Sequence, residues 1–393
     1  LIKRSLTTIR KLWLAFGIVV LVLVVVETGP NAWKSFWRGV EYEGGQKPDY
    51  RVAAEALQDA DWAEPYFLEA HNQLRVEWAP YVQWRHPPLE GAYFHFDANG
   101  NRRTWSTPTT PTSTAPLRIY MFGSSTMVGV GARDDFTIPS LLAKRLAATS
   151  FDIEVSNFGV VGFVSSQEVY SLIELLKQGN VPDLVIFYDG IGDIIAAEQT
   201  GVAGTPQNES RRGREFKLLN REREGDLIRE AVLVMLSRTQ SRASDFAEWI
   251  GARKKTSPAV SISPDLEALA TSIVARYAEN LRIVELLAKE YEFEALYYWQ
   301  PVVFTKNVLT GHEQRYRNTH ALEALYEATY RARRESDVLA SLTTAIDISD
   351  AFRESTENYF LDFAHTSEAG NQKIVEVMMP GVSGAIERLV QGR

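Results

Sequence analysis

Apolar and polar positions divide the chain into contrasting stretches. Residues Leu12 to Val26 read LWLAFGIVVLVLVVV, fifteen positions without a charge. From residue 117 onward, short apolar runs alternate with segments at helical spacing. The runs are Leu117 to Phe122, Ile153 to Phe158, Asp183 to Tyr188, Phe293 to Trp299 and Thr344 to Ile348. They lack the alternation of a half-exposed strand, which predicts strands buried on both faces. Helical spacing between them predicts helices over 138–148, 165–177, 264–291, 366–379 and 383–391. Strands alternating with helices predict an α/β class. The expected architecture is a three-layer α/β/α sandwich around a central, mostly parallel five-stranded sheet, preceded by one N-terminal transmembrane helix.

The intervening stretches are less regular. Apolar spacing over 50–78 predicts a helix. The following PYVQWRHPPLEGAYFHFDANGNRRTW mixes aromatics with Pro and Gly and predicts extended chain with turns, including a tight turn at Asp97-Ala98-Asn99-Gly100. Residues 106–116, STPTTPTSTAP, read as a loop or linker. Residues 200–262 interrupt the strand–helix rhythm with a polar insertion rich in both charges, read as a solvated excursion or as a lid or partner-docking surface. The expected organisation is therefore a basic flank and anchor over 1–30, a leader region with its linker over 31–116, and an α/β domain over 117–393 carrying the insertion.

The first apolar run is preceded by Lys3, Arg4, Arg10 and Lys11 and followed by Glu27. A bilayer span takes about 20 residues, so the run is short, but Lys11 can snorkel and Trp13 and Trp33 stand near the two interfaces. An anchor fits better than a cleaved signal peptide, for which no clear small-residue cleavage site follows, or a buried core helix. The basic flank predicts a cytoplasmic N-terminus with the main domain periplasmic or extracytoplasmic.

Composition then narrows the chemistry. The formal charge is −8, and setting aside the four basic groups before the apolar run leaves −12 for the rest. An acidic body disfavours nucleic acid as a partner. The chain has no cysteine, which removes disulfides, thiolate metal sites and a cysteine nucleophile. Six histidines remain as candidate bases: His71, His86, His95, His312, His320 and His365. No His or carboxylate pair at ligand spacing points to a metal, and no cofactor is expected. His312 and His320 read as surface residues. His86 and His95 belong to the leader, where packing is the expected role.

Candidate chemistry collects where the apolar runs end. The first is followed by Gly123-Ser124-Ser125-Thr126, which can place a hydroxyl at the sheet's carboxyl edge before a helix. The second ends in Asn157-Phe158-Gly159-Val160-Val161-Gly162, where glycine lets backbone approach a reacting group. The third ends in Tyr188-Asp189-Gly190-Ile191-Gly192-Asp193. Late in the chain stands Asp362-Phe363-Ala364-His365, in which a carboxylate can orient an imidazole.

In this order on an α/β pattern, the blocks resemble the SGNH (GDSL-type) hydrolase family over roughly residues 117–380. The segments PYVQWRHPP and DANGNRRTW also resemble the leader of membrane-anchored members associated with bacterial envelope polysaccharide. The resemblance implies a flavodoxin-like sheet, Ser125 as nucleophile, His365 as general base and Asp362 as its orienting carboxylate. It implies an oxyanion hole from Ser125, Gly162 and a third-block asparagine. That asparagine is absent: Gly192 stands in its place. Losing one such donor costs about 10²–10³ in turnover. An asparagine restored at 192 is expected to raise activity if the site is merely impaired.

The function implied is a membrane-anchored serine esterase acting on O-acyl groups, O-acetyl foremost, of an envelope glycan. Two alternatives stand beside it: a glycan O-acetyltransferase, and a catalytically inactive scaffold or binding subunit. Expected partners are the membrane through the N-terminal helix, an acylated glycan or other ester, and envelope proteins.

Overall fold

The computed structural model describes residues 49–106, 116–149, 151–219, 266–317 and 322–392. The apolar run at 12–26, most of the 106–116 linker, the rest of the 200–262 insertion and His320 lie outside the described residues. Among the described residues no helix is long and apolar enough to cross a membrane. Residues 49–211 and 262–393 belong to one compact unit, which carries the sheet.

Its elements, in chain order, begin with α1 (Ala63–Gln73) and two short ribbons, β1 (Glu77–Ala79) with β2 (Gln83–Arg85) and β3 (Leu89–Glu90) with β4 (His95–Phe96). Then come β5 (Leu117–Gly123), α2 (Ser125–Val128), α3 (Ile138–Leu146), β6 (Ile153–Asn157), α4 (Ser165–Lys177), β7 (Leu184–Asp189) and α5 (Ile191–Thr200). The remainder is α6 (Glu209–Leu219), α7 (Leu266–Tyr291), β8 (Glu294–Trp299), α8 (Glu323–Arg334), α9 (Asp337–Ser341), β9 (Ala345–Asp347) and α10 (Glu368–Gly392).

Five strands form one sheet in the order β6-β5-β7-β8-β9, and every pairing is parallel. The central strand β7 is buried along its whole length, as its unbroken apolar run requires. Register places Phe122 beside Phe187 and Phe187 beside Tyr297. With Phe158 these rings form a stacked ladder at centroid spacings of 5.2, 5.2 and 5.6 Å. Each such pair adds about 0.5–1.5 kcal/mol beyond its buried area. Helices α3 and α10 pack together, and α4, α5 and α8 pack on α7. The first crossover moves to one side of β5 and the second back to the other. Right-handed connections therefore put α3 and α4 on opposite faces.

Two expected elements differ. The helix over 50–78 is two short 3₁₀ turns followed by α1. A continuous helix would hold Pro65 in its interior at about 3 kcal/mol. Starting at Ala63 places that proline in the first turn, where its missing N–H costs nothing. Conversely, the two helices over 366–379 and 383–391 are one helix running through Pro380. Its buried face, Ile374, Val375, Met378, Val382, Ala385 and Ile386, outweighs the lost hydrogen bond. The turn at 97–100 forms as expected: Asp97 accepts the N–H groups of Asn99 and Asn101, and Gly100 has φ +83°.

Residues 49–106 join the same compact unit as the sheet. Leu57, Tyr66, Phe67, Phe94 and Phe96 form a second core with Val128, Val130 and Leu361. Val128 ends α2, three residues after Ser125, and Leu361 adjoins Asp362. The N-terminal segment is thus packed against the loops that carry the candidate chemistry.

Candidate active site

In a sheet ordered this way, successive crossovers leave β5 and β7 in opposite directions, which opens a crevice at their carboxyl ends. Ser125 stands there. β5 ends at Gly123, Ser124 is extended (ψ −150°), and Ser125 opens the four-residue α2. Its neighbours Ser124 and Thr126 are buried, while Ser125 keeps partial exposure.

The late Asp-x-x-His segment arrives at the same point. His365 Nε2 lies 2.8 Å from Ser125 Oγ, and His365 Nδ1 lies 2.7 Å from Asp362 Oδ2. With Nδ1–H donated to the carboxylate, Nε2 presents a lone pair to the Ser125 hydroxyl. The three-residue spacing has a local reason. Asp362 Oδ1 accepts the backbone N–H groups of Ala364 and His365 at 2.9 and 2.7 Å, which curls the segment back on its own carboxylate. Burial pushes the Asp362 carboxyl up, but the His365 charge, its ring and backbone hydrogen bonds, and Arg51 together hold it well below the usual carboxylate range. An ionised carboxylate in this place stabilises an imidazolium.

A second layer fixes that segment. Glu313 accepts the N–H groups of Tyr359 and Phe360, each at 3.2 Å, and pairs with Lys306 Nζ at 2.6 Å, both side chains being fully buried. His312 is also buried, contrary to the surface role read from sequence. Its Nε2–H donates to the Leu361 carbonyl at 2.7 Å. The polar sequence around it gave no sign that it folds under the Asp362 loop.

The candidate oxyanion side is built from backbone. Asn157 binds it to the nucleophile helix, donating to Met127 O at 3.0 Å and accepting Gly159 N–H at 2.9 Å. Val160 N–H donates to Gly123 O at 3.1 Å. Gly162 follows with φ +78°, a conformation that glycine adopts without strain. Gly192, in the first turn of α5, is closed in. A β-carbon there would fall 2.0 Å from the Phe163 carbonyl oxygen and 3.5 Å from Ser124 Cβ. The place of an asparagine side chain is thus taken by the backbone after Gly162. An asparagine at 192 would have to displace that backbone before its amide could serve as a donor.

Beneath this side lie three buried carboxyls, Glu168, Asp189 and Asp193. Glu168 and Asp189 share a hydrogen bond, which requires a proton between them. Burial first, then Asp189 and Asp193, push Glu168 up; burial, against the hydrogen bond from Glu168 and with the Asp193 charge, pushes Asp189 up to about 8. Burial pushes Asp193 up to about 6, against the hydrogen bonds it accepts from Ser165.

Sequence reading missed the residues of the N-terminal segment that hold both sides. Arg51 forks onto Asp49 at 2.9 and 2.8 Å, and its Nη1 reaches to 3.7 Å from Asp362 Oδ2. Arg102, fully buried, donates to Asp134 and to the carbonyls of Tyr93, Val128, Gly129 and Ala132. It clamps the turn that follows α2. His86 donates Nδ1–H to Arg75 O and accepts Val161 N–H at 3.2 Å, while Trp84 Nε1–H donates to Val161 O at 2.9 Å. Burial, aided by the Arg102 charge, lowers His86 to about 4, so it stays a neutral acceptor. His95 is hydrogen-bonded to Asp134 at 2.6 Å. His71 is exposed on α1. Among the described residues no group of three or more His, Asp or Glu is arranged to hold a metal ion.

No protein-family model matches the chain, and no curated protein matches it. Among solved structures it is similar to the acetyl xylan esterase AlAXEase, at 11% identity over 68% of this chain and 100% of that one, with a TM-score of 0.39. It is also similar to Axe2, an acetylxylan esterase from Geobacillus stearothermophilus, at 13% identity over 67% and 93% of the two chains, with a TM-score of 0.34. TesA aligns at 14% identity over 67% and 96%, with a TM-score of 0.31. Likenesses of this size do not assign an activity to the chain.

Proposed function

We propose that the protein is a serine esterase of the SGNH type that removes O-acyl groups, O-acetyl foremost, from an envelope glycan. The observation that carries the reading is the Ser125–His365–Asp362 hydrogen-bond chain at the carboxyl ends of the parallel strands. Ser125 Oγ attacks the ester carbonyl while His365 Nε2 takes its proton. Asp362, kept ionised, stabilises the imidazolium that forms. The carbonyl oxygen, now negative, lies toward the Ser125 and Gly162 backbone N–H groups. His365 returns the proton to the leaving alcohol, and water repeats the sequence on the acyl-enzyme. A sugar hydroxyl in place of water makes the same site a transferase.

The test uses the full chain with a fluorophosphonate and an aryl acetate, beside Ser125→Ala. Labelling and turnover that vanish in the variant support the reading. No labelling of the wild-type chain at any pH between about 6 and 9 sinks it.

One observation favours a second reading, a catalytically silent binding subunit: Gly192 stands where the family's oxyanion asparagine is expected. The same assay decides between them. The glycan and the setting outside the cytoplasm rest on the apolar run at 12–26 and its basic flank. Protease accessibility of the main domain in intact and in permeabilised cells tests that placement.

A further inference from the structure

With Gly192 in place of the asparagine, the candidate oxyanion side lacks one side-chain donor. The carboxamide of Gln207 lies on the open face of Gly162. A β-carbon on Gly162 would sit 3.6 Å from Gln207 Oε1 and 3.7 Å from Gln207 Nε2, an ordinary van der Waals contact. Gly162 is therefore bounded by Gln207 on this face, the Phe163 carbonyl that follows it packs against Gly192, and Val160 N–H before it donates to Gly123 O. The same short stretch of backbone touches the nucleophile loop on one side and the glutamine amide on the other.

Gln207 is held in this position. It lies between α5 and α6 in the turn that opens the polar insertion. Asn208 N–H donates to Gln199 Oε1 at 3.0 Å, and Asn208 has φ +61°. Thr200 Oγ1 bridges Val202 O and Thr205 Oγ1 at 3.0 and 2.9 Å. Gly204 packs on the Arg276 side chain, where a β-carbon would fall 2.5 Å from Arg276 Cγ. The side chain is half-buried. A carboxamide offers two N–H donors, the same chemistry as the asparagine it would replace, on a stem one methylene longer.

We propose that Gln207 is the third oxyanion donor of this site, reaching from the insertion to the face of Gly162 while the place beside Gly192 is filled by backbone. The proposal rests on the esterase reading. As the Ser125 Oγ–carbon bond forms, the carbonyl π pair moves onto oxygen. Gln207 Nε2–H donates a hydrogen bond to that oxygen beside the Ser125 and Gly162 N–H groups, and no proton leaves the amide. Donors aimed at developing charge act on kcat more than on KM.

The test compares wild type, Gln207→Ala and the near-isosteric Gln207→Met in the full chain, with an aryl acetate and a trifluoromethyl ketone whose hemiketal carries an oxyanion. Both variants should lose about 10²–10³ in kcat with KM changed little. They should bind the ketone more weakly by a similar factor, with unchanged melting temperature in Gln207→Met. Ser125-dependent turnover that persists at the wild-type kcat in both variants overturns the proposal and leaves the esterase reading intact. A rise in KM alone also overturns it, assigning Gln207 to ground-state binding. Absence of Ser125-dependent labelling in the wild-type chain overturns both.

Discussion

The two sides of the crevice are assembled from different kinds of information. On the proton-transfer side, Ser125, His365 and Asp362 are joined by contacts of 2.8 and 2.7 Å, and the acid is held ionised. On the candidate oxyanion side, Gly162 and Gly192 provide backbone only, Gly192 is walled by the Phe163 carbonyl, and Glu168 and Asp189 beneath are held toward the protonated form. A relay needs three side chains in one geometry and tolerates little change. An oxyanion pocket needs only donors aimed at one point, whatever element brings them.

The largest expected effects break the relay. Ser125→Ala and His365→Ala should each lower aryl acetate turnover by about 10⁴-fold or more, read against the uncatalysed rate. Asp362→Asn keeps the shape but removes the charge, and a comparable loss in kcat is expected with fluorophosphonate labelling slowed in parallel. A variant that retained wild-type kcat would dissolve the distinction between the two sides.

Next comes the support under Asp362. Lys306→Met leaves Glu313 buried without its counter-charge and should cost about 3–5 kcal/mol of stability, measured by urea unfolding. A loss under ~1 kcal/mol would mean that water or relaxation reaches this pair.

Gly192→Asn sharpens the oxyanion side. Because its β-carbon meets backbone, it should destabilise the fold by about 1–3 kcal/mol and fail to raise kcat. A gain in kcat at unchanged stability would show that the Phe163 carbonyl moves aside freely.

The smallest expected effect separates the sides by pH. Asp189 has a folded pKa near 8 against 3.8 for the free side chain, so the folded state holds the extra proton. Stability from this group is therefore full below about pH 4 and is lost as pH rises through about 8. Asp362 has the opposite sign: its contribution is present above its ordinary range and is lost as pH falls below it. Asp189→Asn mimics the protonated form. Its melting temperature relative to wild type should rise between about pH 5 and 8, and a flat difference would remove the proton from the Glu168–Asp189 pair.

Much of this site could be read along the chain. Strand ends followed by Gly-Ser, by Gly-x-x-Gly and by Gly-x-Gly-Asp are local punctuation, as is a carboxylate three residues before a histidine. The segment from 49 to 106 was opaque for a physical reason. Arg102 and His86 do their work 26 to 75 residues away in sequence, on backbone carbonyls and N–H groups that carry no residue-type signature. His312 looked exposed because its neighbours are polar, yet it donates to Leu361 O from beneath the loop. Gln207 sat in a stretch read as solvated. The one signal that bore on it was indirect: the family's oxyanion asparagine is replaced by Gly192.

The sequence by itself determined the alternation of buried strands and helices, the serine at the first strand end and the Asp-x-x-His that follows the last. These are patterns of a few residues governed by local periodicity and turn chemistry. Only the tertiary structure decided that Ser125, His365 and Asp362 come into hydrogen-bond contact, that Gly192 is sealed rather than open, and that the N-terminal segment packs beside the loops that carry them. Those outcomes depend on where backbone atoms from distant segments come to rest, and packing is set by the whole chain at once.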